Sequence, residues 1–427
     1  MKKVSFYTLG CKVNQYESNG MMQKLKEAGY EIVDINDDIS DVCIVNTCTV
    51  TNISDRKSRQ ILRKVKDKNP NAIIVATGCY AQVSRKALEE MPEIDIVLGN
   101  DEKKEIVKYI EQYNNSKFTE IEDISRQKEF VDMGEITYTE KTRAVVKIQD
   151  GCNQFCSYCI IPYARGRVRS RKQENIIKEA NKIAQEGIKE IVLTGIHIAS
   201  YGKDFNNENG LIELLEELNK VERIKRIRLG SLEPKIITEE FVQRLVKLEK
   251  ICHHFHLSLQ SGCDSTLKRM NRKYTTQDIR EIANRLRRYY PDVMLTTDII
   301  VGFPGETEEE FSATKKFLEE IKLYKMHVFP YSKREGTVAA KMENQIDGNI
   351  KEERSKELIE LSNKNQEEYN KSYIGRKVEV LFEEKDGEYY KGHTQNYIMV
   401  KYKTDENLEN TIKEVEVKNA EIEYVEA

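Results

Sequence analysis

Short apolar runs alternate with stretches of helical period along most of this chain. Val4–Leu9, Val42–Val45, Ala72–Ala76 and Ile94–Leu98 have strand length, and the helix-period segments between them predict a parallel sheet with helices on its faces over residues 1–113. Periodicity then fades into polar, acidic sequence over residues 114–142, which reads as a linker with room for one strand pairing. Six further apolar runs follow: Ala144–Ile148, Glu190–Thr194, Arg226–Leu229, His254–Leu259, Met294–Val301 and Met326–Phe329. Helical spacing over Asn175–Glu186, Leu211–Asn219 and Asp278–Arg288 lies between them, so residues 143–371 predict an open (β/α) barrel of six units, ending in a long charged helix over Ile350–Lys371. The tail, residues 372–427, carries the short runs Lys377–Phe382, Tyr397–Lys403 and Lys413–Val417 and predicts a small β-barrel. The fold class expected is α/β: a Rossmann-like parallel-sheet domain, a partial six-unit barrel and a C-terminal β-barrel.

Length agrees with two or three domains, since 427 residues exceed one ordinary core. A balance of 39% hydrophobic and 33% charged residues is that of a soluble globular protein, and no apolar run approaches a bilayer span. The first run, Val4–Leu9, is too short for an export signal and is followed at once by Lys12 and Asn14, so a cytoplasmic location and no membrane partner are expected. Nine cysteines, an odd count in a large charged chain, argue against a disulfide framework and leave metal ligation or burial to account for them. The net charge of -3 does not mark a nucleic-acid binder. Two local basic runs stand out, Arg165, Arg167, Arg169, Arg171 and Lys172, then Lys268, Arg269, Arg272 and Lys273. Such runs are ordinarily solvated faces. The first is singled out because it adjoins the sequence with the strongest chemical signal.

That sequence is GCNQFCSYCIIPYARG, in which Cys152, Cys156 and Cys159 have three and then two residues between them, just after a strand. One short loop can aim three thiolates at a single cubane and leave its fourth iron open to a ligand. A structural zinc site is the alternative, but zinc usually takes paired C-x-x-C units and four ligands, and no second pair follows. Cys11, Cys48 and Cys79 each end one of the first apolar strands, in TLGCKVNQYES, VNTCTVT and TGCYAQ. In an open parallel sheet those ends form one crevice, so three thiolates far apart in sequence can converge there on a second cluster. Burial as small hydrophobes is the alternative, and Cys43, Cys252 and Cys263 are assigned to it. The strand ends LTGIHIASYG, LGSLEP, LSLQSG and VGFPGET would line the barrel mouth. Gly195, Gly302 and Gly305 there permit close backbone approach, or simply turns.

The three-then-two spacing with Tyr158 before the last cysteine resembles the radical S-adenosylmethionine enzymes. Taken over the whole chain, the order of parts resembles the radical S-adenosylmethionine methylthiotransferase family. LGCKVNQYES, NTCTVT, GCNQFCSYCIIPYARGRVRSR and LSLQSGCDSTLKRMNRKYT look most like its branch acting on N6-threonylcarbamoyladenosine in tRNA. The resemblance implies an auxiliary 4Fe-4S cluster on Cys11, Cys48 and Cys79, a radical-generating 4Fe-4S cluster on Cys152, Cys156 and Cys159, and a C-terminal TRAM domain. It places Tyr158, Thr194, Gly195, Ser258, Gln260 and Gly302 near S-adenosyl-L-methionine. One cofactor molecule would methylate a sulfur on the auxiliary cluster. A second would be cleaved to a 5'-deoxyadenosyl radical that takes the hydrogen from carbon 2 of the adenine, a position with little for a general base to act on. The implied partners are a tRNA anticodon loop, with Arg165, Arg167 and Arg169 as candidates for its phosphates, and an electron donor such as flavodoxin or ferredoxin. Modification of another tRNA adenosine or of a ribosomal protein residue remains open, as does a non-catalytic iron-sulfur RNA-binding protein.

Overall fold

A computed structural model describes residues 2–36, 39–137 and 142–427. Residues 138–141 of the expected linker lie outside the described residues. The first sheet has six parallel strands, β1 (Lys3–Thr8), β2 (Glu31–Val33), β3 (Val42–Thr47), β4 (Ile73–Gly78), β5 (Ile96–Leu98) and β6 (Phe118–Glu120), in the order β2-β1-β3-β4-β5-β6. All six residues of β3 are buried, as expected of a central strand covered on both faces. Helices Lys12–Glu27 and Asn52–Lys68 cover the sheet, the second capped by the Thr51 side chain accepting from the Ser54 amide. One strand here is additional to those expected, and one is the single pairing for which the polar linker had room. β2 has only three residues, and β6 falls inside the polar stretch, where Phe118 pairs with Ile96.

The second unit is an open barrel built from two sheets. β7 (Arg143–Asp150), β8 (Arg169–Ser170), β9 (Glu190–Gly195) and β10 (Arg226–Leu229) form one, ordered β10-β9-β7-β8. β11 (His254–Gln260), β12 (Met294–Val301) and β13 (Lys325–Pro330) form the other, and the bridges Ile227–Ile251 and Leu232–Leu257 join the two. Every named pairing is parallel except β7 with the two-residue β8. The outer faces of these strands pack on the helices in one large core that includes Val146, Ile191, Leu193, Leu257, Ile299 and Leu286. The helix Gly348–Lys371 packs along β13.

The C-terminal sheet holds β14 (Lys377–Asp386), β15 (Tyr389–Thr394), β16 (Met399–Lys403), β17 (Thr411–Glu416), β18 (Asn419–Ala420) and β19 (Val425–Glu426), ordered β17-β14-β15-β16-β19-β18 and mostly antiparallel. Its small core gathers Val380, Phe382, Ile398, Val400, Val415 and Val425. The run Tyr397–Lys403 is a strand only from Met399. Tyr397 instead takes a left-handed φ of 77°, a costly conformation for a bulky residue, in the turn that β15 and β16 enclose.

This turn sits at the amino ends of the barrel strands. Arg226 donates to the His393 carbonyl (2.8 Å), Arg228 to the carbonyls of Thr394 and Gln395 (3.3 and 3.1 Å), and Asn396 to the carbonyl of Asp292 (2.9 Å). The Tyr397 ring stacks between His254 and His393, each 4.7 Å away between centroids, with the Arg228 guanidinium 4.7 Å over it.

Candidate active site

Cys11, Cys48 and Cys79 follow β1, β3 and β4, three neighbouring strands, so parallel pairing alone brings their carboxyl ends side by side. The loops are then tied. Asn14 donates to the carbonyls of Leu9 (2.7 Å) and Thr47 (3.0 Å), and Ser58 donates to the carbonyl of Cys48 (3.2 Å). At Gly78 (φ 101°) a Cβ would collide with the backbone of Thr47, so only glycine lets Cys79 approach the Cys48 loop. The three thiols lie within electrostatic reach of one another; Cys48 and Cys79 are buried and Cys11 is exposed.

Cys152, Cys156 and Cys159 occupy one loop leaving β7. Gly151 (φ 71°) turns the chain where a Cβ would meet the Arg167 carbonyl, the Cys152 amide donates to the Gly166 carbonyl (3.0 Å), and the Cys159 amide donates to that of Cys156 (3.0 Å). The segment after β11 clasps the loop from outside. Asn271 donates to the Phe155 carbonyl (3.0 Å), Ser157 to the Arg269 carbonyl (2.8 Å), and the Ser157 amide to the Met270 carbonyl (3.1 Å).

The donor sets suit clusters of net negative charge. Burial pushes the thiols of Cys48 and Cys152 up to about 11 and that of Cys159 up to about 12, so they stay protonated until a bound metal strips the proton. Each triad also has one guanidinium donating to a sulfur at 3.1 Å: Arg165 to Cys79 and Arg272 to Cys156.

The barrel rim holds the other expected positions. Thr194 and Gly195 end β9, Ser258 and Gln260 lie at the end of β11, where the register shifts and Gln260 adopts φ 74°, and Gly302 follows β12. Tyr158 is half-buried, its ring edge-on to Phe303 at 6.5 Å. Gln149, His197, Glu233 and Arg272 join them without having been singled out for this rim by sequence. Fully buried Gln149 receives the His197 amide (2.8 Å) and donates to the Gly151 carbonyl (2.6 Å). Arg272 donates to Glu233 (2.7 Å) and to the Ser258 carbonyl (2.8 Å), and Glu233 lies 3.8 Å from His197. The signal available for Glu233 and His197 was their place in the strand-end runs LGSLEP and LTGIHIASYG.

Two basic-run readings need correcting. Arg165 and Arg169 are 0% and 1% exposed, which removes them as phosphate contacts. Instead they join a buried ionic cluster between the first sheet and the barrel. Arg165 binds Glu17 and Asp150, Arg169 binds Asp101 (2.7 Å), Lys147 binds Glu17 (2.7 Å) and Asp150 (2.6 Å), and Lys103 binds Glu17. Burial alone would raise Glu17, but Arg165, Lys103 and Lys147 outweigh it and hold the carboxyl well below its ordinary value. Arg167 alone of the three is exposed, its guanidinium 4.5 Å over Phe155. Arg272, read from sequence as part of a solvated face, has a side chain only 7% exposed. Cys43 and Cys252 are core residues, and Cys263 is half-buried beside Ser265.

Residues 146–318 match the family model described as the radical SAM superfamily, and residues 3–99 match an uncharacterized protein family, UPF0004. The chain is 44% identical to the threonylcarbamoyladenosine tRNA methylthiotransferase MtaB of Bacillus subtilis, across 100% of this chain and 96% of that one. It is 42% identical to the protein of the same name from Aquifex aeolicus (93% and 96%). It is 39% identical to the tRNA-2-methylthio-N(6)-dimethylallyladenosine synthase of Clostridium novyi (90% and 86%). Among solved structures, the radical S-adenosylmethionine methyltransferase TsrM of Kitasatospora setae superposes with a TM-score of 0.56 at 15% identity, over 77% of this chain and 72% of that one, a likeness of fold.

Proposed function

This chain belongs to the radical S-adenosylmethionine methylthiotransferase family, and from that premise we propose that it converts N6-threonylcarbamoyladenosine at position 37 of tRNA anticodon loops to its 2-methylthio derivative. The observation that carries this reading is the full-length match to two proteins of that stated activity.

Cys152, Cys156 and Cys159 hold the radical-generating cluster, and Cys11, Cys48 and Cys79 hold the auxiliary one. When bound, the two 4Fe-4S clusters and S-adenosyl-L-methionine supply the one-electron cleavage and the methylthio group. The chain's own residues do the positioning. The helix Ile161–Arg165 starts two residues after Cys159 and ends at Arg165, which donates to Cys79, so one short helix links the two thiol sets. Arg165 and Arg272 each place a positive charge against one sulfur of their triad. Tyr158, Thr194, Gly195, Ser258, Gln260 and Gly302 surround S-adenosyl-L-methionine at the rim, and Arg167 meets RNA phosphate. An electron donor of the flavodoxin or ferredoxin type serves the reaction in the cytoplasm; no helix among the described residues is long and apolar enough to cross a membrane.

Liquid chromatography with mass spectrometry of tRNA nucleosides, from cells with and without the gene, tests this. Loss of 2-methylthio-N6-threonylcarbamoyladenosine alone is expected. Loss of the dimethylallyl counterpart would move the enzyme to the sister branch, and an unchanged profile would overturn the tRNA reading.

A further inference from the structure

Barrel interiors are ordinarily filled by layers of Val, Ile and Leu. Here the inward positions of β10 to β13 are polar and enclose a cavity of about 450 Å³, lined by Arg228, His254, His256, Asp298, Lys325 and His327. All three parts of the molecule wall it: Tyr397 and His393 come from the C-terminal turn, and Lys12 from the first residue of the helix after β1.

Much of this polarity is already paired. Arg228 is held by Glu190 (2.7 Å) and two carbonyls of the C-terminal turn, His256 by Asp298 (3.3 Å) and Thr296 (3.0 Å), and His254 by Thr296 (2.9 Å). Lys12 and Lys325 are different: among the described residues neither side chain donates a hydrogen bond or closes an ion pair, and Lys12 feels Tyr397 and Glu190 only at a distance, against the opposing charges of Arg143 and Arg228. His254, 7% exposed, also keeps Nδ1 without a partner. Two ammonium groups that line one polar cavity and make no hydrogen bond there suit an anion, and the cavity's size suits a group larger than a simple ion.

Lys12 also ties the cavity to the first thiol triad. It is the chain neighbour of Cys11, about 3.8 Å away between Cα atoms, so one wall of the cavity is continuous in sequence with an amino-terminal thiol while its side chain lies near Arg228 and Tyr397. On the reading above, carbon 2 of the base must approach those thiols while the substituent on N6 projects elsewhere. The threonylcarbamoyl substituent ends in a carboxylate; the dimethylallyl group, which the Clostridium novyi relative's name gives as its substrate's, is apolar.

We propose that this barrel cavity is the specificity pocket for the N6 substituent of the target base, with Lys12 and Lys325 binding its carboxylate. The inference rests on the proposed function and adds the residues that choose the substrate. An apolar substituent would leave both ammonium groups desolvated and unpaired, and that penalty is what rejects it.

The test measures binding of fluorescent anticodon stem-loops to the cluster-reconstituted enzyme, carrying adenosine, N6-threonylcarbamoyladenosine, its methyl ester or N6-dimethylallyladenosine. Wild type should prefer the free acid over the other three by roughly 10–100-fold, the scale of a charged hydrogen bond. Lys12→Met and Lys325→Met should each erase most of that preference while binding the unmodified stem-loop as wild type does, with iron content and melting temperature unchanged as folding controls. Retained preference in both variants would overturn the proposal, and equal weakening for all four stem-loops would make the lysines phosphate contacts instead. A wild-type preference for the dimethylallyl stem-loop would overturn the functional reading itself, an outcome separable from either of these.

Discussion

The two thiol triads reach similar arrangements by opposite routes. Cys152, Cys156 and Cys159 come from one loop whose turns are set by its own residues, Gly151 and the backbone hydrogen bond from the Cys159 amide to the Cys156 carbonyl among them. Cys11, Cys48 and Cys79 come from three loops that meet only because β1, β3 and β4 are neighbours in a parallel sheet. The first site is encoded locally and the second by topology, so the second should fail whenever the sheet or its tight loop contacts fail, while the first should survive.

Removing a ligand should give the largest effect. Cys156→Ala and Cys48→Ala should each abolish the methylthio nucleoside in tRNA digests, yet each should retain about half the iron of the wild type, because the other triad is intact. Next comes a substitution that touches no ligand. Gly78→Ala forces a Cβ into the Thr47 backbone at φ 101°, and with strain of about 1–3 kcal/mol it should remove the auxiliary cluster's electron paramagnetic resonance signal while leaving the other. Equal loss of both signals would break the contrast.

The ionic cluster between the two parts sharpens the comparison by pH. Glu17 titrates well below its ordinary value in the folded protein. Its stabilisation is therefore complete above the unfolded value of about 4.3 and is lost as pH falls from there through the depressed folded value. Glu17→Gln leaves three buried cations short of an anion and should cost about 3–5 kcal/mol at pH 7 in denaturant titrations, a gap that narrows below about pH 4. The smallest effect belongs to the guanidiniums on sulfur. Arg165→Lys and Arg272→Lys should shift the reduction potential of the auxiliary and the radical cluster respectively, by on the order of tens of millivolts, each without moving the other.

What was legible in the sequence follows the same division. The barrel strands were visible because their outward faces are continuous apolar runs, and the Cys152 loop because its spacing is self-contained. β8 was not, since two residues carry no period, nor was β15, whose alternation in YYKGHT is weak. The arginines misled for a physical reason. A run of like charges looks solvated until its partners are known, and Glu17, Asp101 and Asp150 lie 148, 68 and 15 positions from the arginines they bind. Tyr397 was placed in a strand because apolar alternation continues through it. The turn is instead fixed by Thr394, whose hydroxyl accepts from the Ile398 amide, and by Asn396, anchored to the barrel.

The turn at Tyr397 makes the tail more than an appendage. By bonding to Asp292, Arg226 and Arg228, it covers the amino ends of the barrel strands from below. The C-terminal unit therefore acts as a floor under the barrel strands, and a chain shortened before residue 377 would strip Arg226, Arg228 and Asp292 of those partners and bare the amino ends of the strands to water.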